Sequence, residues 1–225
     1  MNNSLLNCSF RDLSPMDRAF FDLVDKFFTR ESERVNQTIG ETTAEKYEGY
    51  VKSDGGYKCI HLRVALFVQQ LNDVVRHLNL TPEQISNMKF LDVGCGVGQK
   101  IFLANCFGFR ARGLELRKEL ISAGQNLFSD LRVEIRHDGY YSPEPFFIHG
   151  DALTYDGYND FDILYFYCPL MAENLEIKLE EKLAKDAKPG AIVLANLPKH
   201  FLVRKTPEGW KRYGDDFDRL IFQKL

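Results

Sequence analysis

Phe90-Leu91-Asp92-Val93-Gly94-Cys95-Gly96-Val97-Gly98 decides the fold of this chain. An apolar run leads into an acid, then into three glycines at alternate positions. The helix-patterned stretch Gln99-Lys100-Ile101-Phe102-Leu103-Ala104 follows at once. Glycines at such a turn tolerate positive φ and let the backbone approach a ligand where a Cβ would collide. A helix starting there adds unpaired N–H groups. In an open α/β sheet this place is the crevice beyond a strand's carboxyl end, where nucleotide-like ligands bind. The dinucleotide fingerprint G-x-G-x-x-G requires a third glycine at position 99, and the chain has Gln99. What it carries is acid-x-G-x-G-x-G.

Similar units recur downstream. Phe109 to Leu116 is a second apolar run, and it reaches the acid Glu115 17 residues after Gly98. A carboxylate at a strand tip can accept both hydrogen bonds of a ribose diol. A helical pattern then runs from Arg117 to about Asp130. Phe146-Phe147-Ile148-His149 leads into Gly150-Asp151-Ala152-Leu153, and Phe161 to Tyr167 leads into Cys168-Pro169-Leu170. Lys188-Pro189-Gly190 opens a fifth run, Ala191 to Leu197. Apolar runs alternating with helical patterns predict βαβ units and a mostly parallel sheet.

In this order and spacing, residues 89–197 resemble the class I S-adenosylmethionine-dependent methyltransferases. The resemblance implies a Rossmann-like, seven-stranded, mostly parallel sheet with helices on both faces. It implies S-adenosyl-L-methionine as cofactor and a methyl acceptor as substrate. It places Asp92, Gly94, Cys95, Gly96 and Gly98 around the methionine end, Glu115 and Leu116 at the ribose, and Asp151 with Ala152 at the adenine. Gly-Asp is also a common turn pair, which is the structural alternative for Asp151. Cys95 has no basic neighbour in sequence to activate it, and it reads as a small residue that fits the loop.

The acceptor side carries fewer signals. Amino-methylating nucleic-acid enzymes of this superfamily have Asn/Asp-Pro-Pro-aromatic after the fourth strand. Of Tyr167-Cys168-Pro169-Leu170, only Pro169 matches. A protein side chain or a small molecule is therefore the expected acceptor, ahead of a nucleic-acid base. Tyr167 and Pro169 are the acceptor-side candidates, with packing at a strand end as their alternative role. Gly96-Val97-Gly98-Gln99 is also similar to the glycine loop of the non-SET histone-lysine methyltransferases, which keeps protein lysine methylation open. Two readings compete with an active enzyme: a catalytically silent methyltransferase-like binding module, and a nicotinamide-dependent oxidoreductase, which Gln99 opposes.

Composition bounds the rest. The 225 residues suit one large domain or a domain with an appendage, and a formal charge of −3 demands no polyanionic partner. Five cysteines without a C-x-x-C pair, and five scattered histidines, argue against a disulfide framework or a metal site. The amino terminus lacks a basic n-region followed by an apolar stretch, and no apolar run approaches the ~20 residues of a membrane span. A cytoplasmic protein is expected.

Residues 1–57 are expected to form a helical extension and residues 58–225 the methyltransferase domain. Ser14-Pro15 signals a helix start, with Phe20, Phe21, Val24, Phe27 and Phe28 forming a stripe that ends near Gln37. Residues 38–57 read equally as a lid or as a linker. Cys59 to Leu80 has a helical period, and Thr81-Pro82-Glu83 starts a short helix reaching about Met88. The alternating Val133 and Ile135 predict a short strand, followed by a loop to Pro145. Trp210 to Tyr213 and Leu220 to Leu225 resemble the antiparallel pair that closes the family's sheet. Only twelve residues separate Leu197 from Trp210, too few for the long helix the family usually carries there. The basic residues Lys199, Arg204, Lys205, Lys211 and Arg212 read as a solvated face.

Overall fold

Each apolar run found in the sequence becomes a strand of one seven-stranded sheet. The computed structural model describes residues 15–40, 64–135, 146–167, 169–170, 173–196, 206, 208–213 and 219–225. Three helices come first: α1 (Pro15–Gly40), α2 (Val64–His77) and α3 (Pro82–Asn87). Then follow β1 (Lys89–Val93), α4 (Gln99–Cys106), β2 (Arg110–Glu115), α5 (Lys118–Ile135) and β3 (Phe147–His149). The chain continues through β4 (Ile163–Tyr167), α6 (Glu173–Asp186), β5 (Ile192–Asn196), β6 (Trp210–Tyr213) and β7 (Arg219–Lys224). The strand order is β3-β2-β1-β4-β5-β7-β6. Strands β1 to β5 pair in parallel, whereas β7 runs antiparallel to both β5 and β6. This is the Rossmann-like α/β architecture expected from the motifs, and the order reverses direction at β1.

The two faces of the sheet bury two cores. Phe90, Tyr165, Ile192 and Leu194 pack under α1, α2, α4 and α5, while Leu91, Val93, Phe166 and Val193 pack under α6. The alternation within β1 turns Phe90 and Asp92 toward the first face and Leu91 and Val93 toward the second. Helix α1 belongs to the first core through Phe21, Val24 and Phe28, whose ring lies 5.8 Å from Phe102 and 6.1 Å from Phe128. The stripe read from the sequence is thus the docking face of α1.

Element boundaries differ from the sequence reading in several places. Helix α1 runs three residues past Gln37. Helix α2 stops at His77, because Asn79 takes a positive φ of 51° and the Leu80 N–H returns to the Val75 carbonyl. That is a left-handed helix stop, for which Asn is suited. Arg132 to Ile135 lie in α5 and not in a strand. Nothing between Asp130 and Ile135 breaks the helix, and a helix satisfies its backbone without needing a partner strand. Of the segment 38–57, read as a lid or a linker, residues 38–40 form the end of α1, while 41–57, the loop at 136–145, Cys168 and the basic residues Lys199, Arg204 and Lys205 lie outside the described residues.

The strand-entry motifs have structural duties. Lys188 pairs with Asp162 at 2.7 Å, and Asp162 also accepts the Lys89 N–H at 2.7 Å, tying the starts of β1, β4 and β5 together. Lys224 of β7 donates to the Ala184, Lys185 and Ala187 carbonyls and so caps the end of α6.

Candidate functional site

The loop between β1 and α4 is shaped by its three glycines. Gly94, Gly96 and Gly98 have φ of 76°, 56° and 87°, a region that side chains with a Cβ rarely adopt. Each is held by a different strand. A Cβ on Gly94 would overlap Pro169, just past β4. The Gly96 N–H donates to Glu115 Oε2 at 2.9 Å. A Cβ on Gly98 would lie 2.7 Å from the Phe147 ring of β3. At Gly94 and Gly98 the missing Cβ therefore makes room for protein side chains, and the N–H groups of all three glycines bond within the protein.

Glu115 closes β2 and is buried. Besides Gly96, it accepts the Arg117 N–H through Oε1 at 2.9 Å. Burial pushes its carboxyl above the ordinary range, although the hydrogen bonds from Arg117 and Gly96 and the Arg117 charge oppose this. The Leu116 backbone also acts on this carboxyl, so of the about four lone-pair sites of an ionised carboxylate three backbone groups leave about one over. The backbone continues the connection: Gly94 and Cys95 N–H groups reach the Leu114 carbonyl, and the Gly150 N–H reaches that of Glu115. The Leu116 carbonyl lies 3.0 Å from His149 Nε2.

Asp92 is also buried, at 4% exposure, and desolvation raises its pKa to about 7. The Lys100 ammonium opposes that rise and the Glu115 carboxylate adds to it. Asp92 and Glu115 are thus two buried acids close enough for the charge of one to act on the other.

The remaining predicted residues divide. Cys95 turns inward over Gly113, whose hypothetical Cβ its side chain would overlap, so its thiol fills a gap beneath the loop. Asp151 Oδ1 accepts the Leu153 N–H at 2.8 Å, and its carbonyl accepts from Thr154 and Tyr155. Its side chain therefore stabilises the turn after β3. The Ala152 carbonyl accepts the Tyr158 hydroxyl at 2.7 Å. Pro169 sits over the loop, whereas Tyr167 pairs with Asn196 across β4 and β5 and packs against the first core. The carboxyl ends of β1 to β4 thus gather the loop, Glu115, Asp151 and Pro169 in one region.

Sequence reasoning missed Lys100 and Asp25. Lys100 is buried, its Nζ contacts the Gln99 side-chain carbonyl, and it lies 5.5 Å from the centre of the Phe67 ring. Gln99 Nε2 in turn donates to Asp25 of α1 at 3.1 Å. Among the described residues no group of three metal-ligating side chains occurs, and no helix is long and apolar enough to cross a membrane.

Neither a protein-family model nor a protein of curated function matches the sequence. Among solved structures the chain is similar to a magnesium protoporphyrin IX methyltransferase from Synechocystis, crystallised with S-adenosylmethionine. The two share 16% identity over 86% of this chain and 95% of the other, with a TM-score of 0.47. An RNA methyltransferase from Salinibacter ruber with S-adenosylhomocysteine shares 17% identity over 68% of this chain and 90% of its own, at 0.45. PKMT2 from Rickettsia typhi, also with S-adenosylhomocysteine, shares 22% over 57% of this chain and 25% of its own, at 0.43.

Proposed function

We propose that this chain is an S-adenosylmethionine-dependent methyltransferase that takes its cofactor in the crevice above Asp92–Gly98. One observation carries the reading most strongly. Glu115, a buried carboxylate at the tip of the strand beside β1, is fastened to the glycine loop through the Gly96 N–H. That geometry fixes an acceptor next to a loop of positive-φ glycines, an arrangement suited to a ribose diol beside a cationic amino-acid end. The buried Asp92 supplies the anionic counterpart for an ammonium group. Ala152 and the turn stabilised by Asp151 border the place assigned to the adenine.

Bound there, S-adenosylmethionine supplies an electrophilic methyl on a sulfonium. The chain's own residues need only orient and exclude water, because an in-line transfer gains most of its advantage from alignment. No protein nucleophile is required. Tyr167 and Pro169 remain the residues assigned to the acceptor side, and a protein side chain or a small molecule is the acceptor class favoured.

Calorimetric titration with S-adenosylmethionine and with NAD(H) separates this reading from an oxidoreductase. Tight binding of the dinucleotide alone would overturn it. Glu115→Ala is expected to weaken S-adenosylmethionine binding by about 1–3 kcal/mol, the range for leaving buried polar partners unpaired. Labelled methyl offered to fractionated lysate then identifies the acceptor class. Pro169's contact with Gly94 favours a second reading, a binding module in which that proline only braces the loop. Cofactor binding without transfer to any fraction would select it.

A further inference from the structure

The chain from Asp25 to Asp92 has a feature that packing alone does not require. Lys100 occupies the second position of α4, where the helix's partial positive charge disfavours a cation, and burial disfavours it again. Groups that compensate include the Gln99 side-chain oxygen, the face of Phe67 and the negative charge of Asp92. Gln99 can turn its oxygen to Lys100 because its amide nitrogen is taken by Asp25. Flipping that amide would set N–H against ammonium and oxygen against carboxylate, so one orientation satisfies both neighbours. Carboxylate, amide and ammonium are therefore linked by hydrogen bonds from α1 to the second residue of α4, and the ammonium's charge acts on Asp92. The charged groups acting on Asp92 are Lys100 from α4 and Glu115 from β2.

We propose that Asp25 is a positioning residue for the cofactor site, acting through Gln99 and Lys100 on Asp92, so that the docking of α1 tunes cofactor affinity. The inference rests on the reading above, in which Asp92 meets the cofactor's ammonium group. Without Asp25 the Gln99 amide is free to turn, Lys100 loses the Gln99 oxygen, and its charge is held less firmly where it offsets the burial of Asp92.

The test uses the full chain titrated calorimetrically with S-adenosylmethionine. Asp25→Ala should weaken binding by about tenfold, near 1.4 kcal/mol. Asp25→Asn, which keeps an oxygen to accept from Gln99 Nε2, should recover affinity to within roughly twofold of the unsubstituted chain. Lys100→Met should also weaken binding, and adding Asp25→Ala to it should change little further, because both act on one path. An unchanged Asp25→Ala, equal losses for Asp25→Ala and Asp25→Asn, or losses that multiply in the double variant would each overturn the inference. Should Lys100→Met give no cooperative thermal transition, the two Asp25 variants decide alone. If the unsubstituted chain binds no S-adenosylmethionine, the functional reading fails and this inference with it. If it binds and Asp25→Ala binds equally well, only this inference fails.

Discussion

The carboxyl group of Asp92, at the end of β1 just before the glycine loop, is buried, and burial raises its pKa from 3.8 to about 7. Between those values the folded chain holds a proton that the unfolded chain has released. Stability therefore falls as pH rises through that window and levels off above it. Asp92→Asn should remove this contribution, so that the variant gains stability relative to the parent at about pH 7.5 but not at about pH 4. Urea midpoints at the two pH values check it. Asp92 and Glu115 were legible because their meaning lies in local order: strand, acid, glycines, second strand. Lys100 was not. A lysine two residues past the last glycine looks like a helix surface, and only the packing of α1 and α2 from far along the chain buries it. Asp25 was hidden for the same reason, since its partner lies 74 residues away.

Helix α5 and strand β3 are fitted around a single ring. Phe147 lies against Gly98 of the loop and Gly124 of α5, with Phe128 5.5 Å away centre to centre. In isolation Gly124→Ala should stabilise a helix by about 0.8–1 kcal/mol. Here the new Cβ would overlap the Phe147 ring and approach the Val97 carbonyl to 2.7 Å, and that oxygen is backbone. A net loss of about 1–3 kcal/mol is expected, the ordinary cost of overpacking, and denaturant unfolding measures it. Elements that announce themselves by their own period were readable, α1 by Phe21, Val24 and Phe28 among others. Arg132–Ile135 misled because two alternating apolar residues fit a strand as well as the last turn of a helix.

Across the whole molecule, the parallel order follows from alternating strand and helix segments, and the antiparallel β6–β7 pair from a short final connection. Register is a different matter. That Asp92 stands between Gly113 and Tyr165 depends on pairings across distant segments, and no local pattern encodes it. Those same pairings set the order in which the site can come into being. The glycine loop is held by Pro169 after β4, Glu115 of β2 and Phe147 of β3, so its shape needs four strands that are far apart in sequence. Such long-range contacts form late, after loop closure has cost its entropy. During refolding, recovery of S-adenosylmethionine binding should lag behind recovery of helical circular dichroism, and stopped-flow traces of both signals would show the delay. Coincident traces would mean that the loop assembles with the helices. On the expected course the crevice is a clock, and the ligand recognises only a chain that has finished folding.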